Sequence, residues 1–334
     1  MSVVDTGLAA GVAARLAPAG PVLSLTEAAD VVVMLRDLTD EAEAHVRAVT
    51  GLHGRVGPAT VVDRAAWSRA NAEGFDNVLT PLTEVLTRRQ SKLAVTATAK
   101  VTGVQVGSLL AWLSSKVLGQ YEAFQPEGQE GRLLLVAPNI VEAERKLGVD
   151  PHDFRLWVAL HEVTHRTQFT AVPWLHAHVR QEVHNLVTAA RLDDPDALLA
   201  RLKQLPRGGS LMEMVQTPEQ REVMDRVTGF MSLLEGHAEH VMDGVGPSVV
   251  PTVEHIRERF EQRRRDKGGP LERVLRRLLG LDLKALQYSQ GRAFVGHVVG
   301  VLGMEGFNRI WTSPETLPSK AEITDPDAWI KRTA

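Results

Sequence analysis

The chain has 334 residues, of which 44% are hydrophobic and 24% charged, with a net charge of −3 and a pI near 6.5. That length can bury a large core, and the near-neutral charge provides no general attraction to nucleic acid or an anionic membrane. The absence of cysteine excludes disulfides and thiolate sites, so any metal site must be built from His and carboxylate.

Residues 1–25 read as an N-terminal segment rich in Ala and Gly. Asp5 and the lack of a basic start make it a poor export signal, so a cytoplasmic location is expected. Residues 26–334 read as one domain. Thr26 to Val49 has helical periodicity, with Thr26 as its cap, Glu27, Asp30 and Asp37 solvated, and Leu35 and Leu38 among its apolar positions. Gly51 to Pro58 is rich in turn residues, and Asp63 to Arg89 predicts one or two helices broken near Pro81. Leu93 to Gly119 is the most apolar stretch. Its length is close to the roughly 20 residues of a membrane span. Lys100, Gln105 and Lys116 favour a core helix instead. Gly103 and Gly107 share a face, where another helix could approach closely. Arg132 to Ala137, closed by Pro138-Asn139, is the best strand candidate, and its edge could accept an extended peptide. A short helix from Ile140 to Leu147 follows, stopped by Gly148.

The next helix, over about 151–170, carries the chemistry. Asp150 caps it and Pro151 takes the first helical position, where its missing N–H costs nothing. Inside lies His161-Glu162-Val163-Thr164-His165, a His-Glu-x-x-His motif. Residues four apart share a helix face, so the imidazoles of His161 and His165 converge on one point, which suits zinc. Glu162 is rotated by about a third of a turn and stands where a general base is needed.

Beyond Pro173, Trp174 to Ala190 reads as a helix carrying His176, His178 and His184. Asp193-Asp194-Pro195 opens a further short helix, and Pro206 to Ser210 is a loop. Thr217-Pro218-Glu219-Gln220 starts a helix over about 218–243. Arg257 to Arg277 is rich in Arg but threaded with acids and short of aromatics, so it reads as solvated helix faces rather than a nucleic-acid site. Helical segments at Leu283 to Leu302 and Gly306 to Trp311 precede a Pro-rich tail. The fold class is therefore mainly α with a small β element, α+β.

Two histidines leave zinc short of one protein ligand. The metzincin pattern fails, because Gln168 and Ala171 stand at its positions. His176 and His178 are near in sequence, and His237 and His240 are further alternatives. Glu235, in Glu235-Gly236-His237-Ala238-Glu239, looks like the second-helix motif of gluzincins: a ligand Glu, a small residue three later and an acid four later. Glu239 could then accept the outer N–H of a ligating His.

Leu118-Gly119-Gln120-Tyr121, Leu133 to Asn139, His161 to Phe169 with Val172-Pro173-Trp174-Leu175, and Glu235-Gly236-His237-Ala238 together resemble the actinobacterial zincin-like metallopeptidases of type 2. Gln287-Tyr288 with Gly291, and Trp311-Thr312-Ser313-Pro314, are similar to that family's C-terminal part. The resemblance implies a mostly helical zincin-like fold, a Zn²⁺ cofactor and peptidase activity on a peptide or protein substrate; the charge pattern and the polar residues of the apolar stretch separately lead to the expectation of no nucleic acid and no stable membrane insertion. It implies His161, His165 and Glu235 as ligands and Glu162 as the general base. Tyr288 is the candidate donor to the developing oxyanion. The competing expectation is a non-catalytic binding protein of the same fold that uses zinc as a structural clamp.

Overall fold

A computed structural model describes residues 4–74, 92–125, 129, 131–189, 218–265 and 281–334. The expected turn at 193–195, the loop at 206–210, Pro81 and the stretch 266–277 lie outside the described residues. Helix α1 (Thr6–Leu16) leads to α2 (Leu25–Thr50), strand β1 (Thr60–Val62), α3 (64–74) and α4 (Lys92–Leu113). Strands β2 (Gly119–Tyr121) and β3 (Leu133–Val136) precede α5 (Ala137–Leu147), α6 (Pro151–Ala171) and α7 (Leu175–Ala189). Then come α8 (Pro218–Val245), α9 (Val253–Arg265), α10 (Leu281–Phe307), α11 (Lys320–Thr324) and α12 (Pro326–Thr333).

The architecture is mainly helical with one small sheet, as expected. Three corrections concern how its pieces fit. The cap of α2 is Ser24, not Thr26: its hydroxyl accepts from Glu27 N while the Glu27 carboxylate accepts from Ser24 N, a reciprocal capping box. The Pro-rich tail is folded into a 3₁₀ turn and two short helices, and Trp329 anchors it in the core with its indole N–H donating to Thr316 O at 2.8 Å. The third correction is to β3, which is no edge. It pairs parallel with β1 and antiparallel with β2, and all four of its residues are buried. A run apolar at every position signals a strand covered on both faces. The edge nearer the cleft described below is β2.

The two glycines of α4 do what their spacing implies. A Cβ on Gly103 would lie 2.7 Å from Asp5 O and one on Gly107 2.5 Å from Ala9 O, so α1 packs directly on the α4 backbone. Among the described residues no helix is long and apolar enough to cross a membrane.

Helix α6 runs through the centre. Asp150 accepts from Asp153 N at 3.0 Å, and Asp153 in turn accepts from Thr252 N and Oγ1, which ties the start of α6 to the loop after α8. Phe154, Leu156 and Leu160 are fully buried in a core shared with α2, α8 and α10. Burying three such side chains stabilises the helix by about 5–9 kcal/mol against leaving them in water. Arg155 sits buried against both oxygens of Glu144 on α5, a pairing that offsets the cost of desolvating the two charges.

Candidate metal centre

Beside that core a cleft of about 740 Å³ opens along α6, and α8 supplies another wall. His161 and His165, one helical turn apart, bring their Nε2 atoms within 3.1 Å of each other. Glu235 Oε2 lies 3.6 Å from the first and 3.7 Å from the second. Donors arranged tetrahedrally around a zinc at about 2.0–2.1 Å would stand roughly 3.3 Å apart. The donor set of two imidazoles and a carboxylate therefore fits such an ion in both chemistry and spacing. Among the described residues, this trio is a group whose ligand atoms all fall within 4.8 Å of one another.

Three of the alternative histidines turn elsewhere. His176 lies between Ala123 O and the Tyr121 hydroxyl, and His178 packs edge-on against Trp174 and Phe230. His237 is completely buried between Phe307 and Trp311, and burial drives its pKa down to about 3, so it is neutral. Glu239 lines the same cleft one turn beyond Glu235. Tyr288 falls on α10, but its side chain lies outside those described.

A residue without an assigned role in the sequence reading settles the imidazole orientation. Gln168 is fully buried, and its amide nitrogen donates to Leu234 O at 3.0 Å. A carbonyl only accepts, so the NH₂ must face it and the amide oxygen must face His165 Nδ1, 2.9 Å away. In its neutral, metal-binding form His165 then carries its proton on Nδ1 and turns the lone pair of Nε2 toward His161 and Glu235. The same NH₂ reaches His237 Nδ1 at 2.9 Å, so one amide couples both walls of the site. The signal for Gln168 was its place three residues after His165, on the same helix face.

Electrostatically, the cluster favours added positive charge. Burial pulls the His165 imidazole down, but Glu235 beside it, together with Glu162 and Gln168, outweighs this and raises it to about 9. Glu162 is 7% exposed. Burial raises its carboxyl to about 7, partly opposed by His165 and helped by Glu235. The residue that shields it is Gly119 at the start of β2, where a Cβ would lie 2.5 Å from Glu162 Cγ. Only a glycine lets the strand lie directly on this carboxylate.

Behind the cleft, α8 and α10 touch backbone to backbone. A Cβ on Gly236 would lie 2.1 Å from Gly291 C, and one on Gly291 1.9 Å from Ser232 O. The small residue after Glu235 thus serves the approach of α10.

A family model described as zincin-like metallopeptidase matches residues 4–330. A crystal structure from Chloroflexus aurantiacus, described as a candidate hydrolase with a novel fold, is 32% identical, with a TM-score of 0.72 and coverage of 98% of each chain. No curated protein matches the chain.

Proposed function

Because the chain belongs to the family of zincin-like metallopeptidases, we propose that it is a zinc-dependent hydrolase that cleaves amide bonds in peptides or proteins. The observation that carries this reading is the convergence of donor atoms from His161, His165 and Glu235 beside the buried carboxyl of Glu162. His161, His165 and Glu235 would hold the ion. When bound, zinc supplies Lewis-acid polarisation of a carbonyl and a water acidified to a pKa of about 7. Glu162 takes the proton from the attacking water and delivers it to the leaving amine. Its burial under Gly119 keeps bulk water from competing for that proton. Gln168 holds His165 in the tautomer that presents Nε2. The outer edge of β2 offers backbone groups on which an extended substrate can add as a strand.

Elemental analysis of the purified, tag-free protein tests the reading. About one zinc per wild-type chain is expected, with loss in His161→Ala and Glu235→Ala. A wild-type chain that holds no zinc after reconstitution overturns it. A second expectation concerns the amide. Gln168→Leu keeps the volume but removes the acceptor for His165 Nδ1, and zinc affinity should fall about 10- to 100-fold in a chelator competition. Unchanged affinity would separate Gln168 from the metal site.

A further inference from the structure

The two ends of the cleft differ in charge. Helices α6 and α8 run antiparallel: Asp153, at the start of α6, holds Thr252 in the loop after α8, while His178, just beyond α6, meets Phe230 in the first half of α8. At the end near the C-terminus of α6 the cleft is apolar, lined by Tyr121, Phe169, Val179, Phe230 and Met231. The opposite end is lined by Lys116, Arg257 and Arg292 along with Glu239. Behind this wall, Asp243 holds both guanidinium groups, pairing with Arg257 and lying 2.8 Å from Arg292. A carboxylate shared in this way aims two arginines from different helices, α9 and α10, at one region. Beside them the Trp157 and Phe260 rings meet at a tilt of 42° with centroids 4.9 Å apart, a low-dielectric flank that strengthens any ion pair formed there.

We infer that the Arg257–Arg292 end of the cleft is a subsite for a carboxylate on the substrate, a specificity feature that rests on the peptidase reading above. Asp243 is eight residues beyond Glu235, about 12 Å along the helix. An extended peptide covers roughly 3.3 Å per residue, so the recognised carboxylate lies about two to four residues from the cleaved bond. Strand β2 starts against Glu162 at Gly119 and continues to Tyr121, at the apolar end. A peptide pairing antiparallel with it, the more stable ladder, runs from the apolar end toward the arginines. The carboxylate therefore lies on the C-terminal side of the bond, either as an acidic side chain or as the chain terminus. Paired guanidiniums suit both, because each accepts a carboxylate through parallel N–H donors.

The test is binding of fluorescent peptides to zinc-supplemented Glu162→Gln protein, read by anisotropy. One set walks a single Asp along an otherwise neutral, C-terminally amidated sequence, and another carries a free C-terminal carboxylate on the same sequence. The expected result is that a carboxylate-bearing peptide binds about tenfold tighter than the neutral amide. That ratio should fall toward one when Arg257→Gln and Arg292→Gln are added. It should also shrink at high salt in the protein with both arginines intact, a readout that survives if the double variant does not fold. The more strongly favoured set identifies the source of the carboxylate. Equal binding of all peptides, no binding, or a preference that survives both Arg substitutions and salt overturns the subsite. Hydrolysis by the wild-type chain is scored separately. A carboxylate peptide that binds tightly through the arginines yet stays intact removes the peptidase reading and leaves the subsite standing.

Discussion

Glu162→Gln should retain its zinc and lose about 10²- to 10⁴-fold in kcat on any peptide the wild-type chain cleaves, the range that a positioned general base contributes. The substitution isolates the chemistry because the two side chains have nearly the same shape. The carboxamide fills the same space beneath Gly119, and the three donor atoms of His161, His165 and Glu235 are untouched. What it removes is an acceptor for the water's proton. Metal content measured beside the rate separates a lost base from a lost ion. A variant that keeps its zinc and turns over at the wild-type rate would place the base elsewhere.

A second large effect is expected at a position with no chemistry. Gly236→Ala adds one methyl group where Gly291 C and O would lie 2.1 and 2.4 Å away. The obstruction is backbone, so no rotamer change can relieve it and α10 must move. The cost should reach the top of the roughly 1–3 kcal/mol range for overpacking. In a chain of this size that lowers Tm by about 5 °C. Because Glu235 is the adjacent residue, zinc affinity should fall with stability. Gly296→Ala on α10 is the control, since nothing lies within 4 Å of its added Cβ. It should match wild type or gain up to about 1 kcal/mol from better helix propensity. Equal melting temperatures for Gly236→Ala and wild type would mean the helices are not in backbone contact.

These two positions show what was legible in the chain. Glu162 could be read because its context is local: an N-cap, a first-turn proline and a motif whose spacing matches one helical turn. The helices α2, α6 and α8 could be read for the same reason, from helix-start signals and period. The Pro-rich tail could not, because its turns are held by long-range contacts such as Trp329 in the core. Strands β1 and β2 are three residues each, too short to show alternation, and without them β3 looked like an edge. Gly119 and Gln168 owe their importance to partners distant in sequence: the first to Glu162, the second to Leu234 and His237 on another helix. The same holds for the arginines. The acids interspersed around Arg257 made its stretch read as solvated helix faces, but a shared Asp243 gathers Arg257 and Arg292 at the cleft only once α8, α9 and α10 are assembled.

The contact between Gly119 and Glu162 ties the surroundings of the proposed general base to strand register. A slip of β2 by one residue along β3 would exchange its two faces and bring Gln120 over the carboxylate, where a side chain has no room. Gln120 is meanwhile held on the far side, accepting from the Trp67 indole at 2.9 Å and donating to Asn71 at 2.9 Å. The glycine and the glutamine thus form a mechanical key with one insertion. On the proposed reading, a sheet that closes out of register cannot assemble a working centre, so hydrolysis would wait until the chain's own fold is complete.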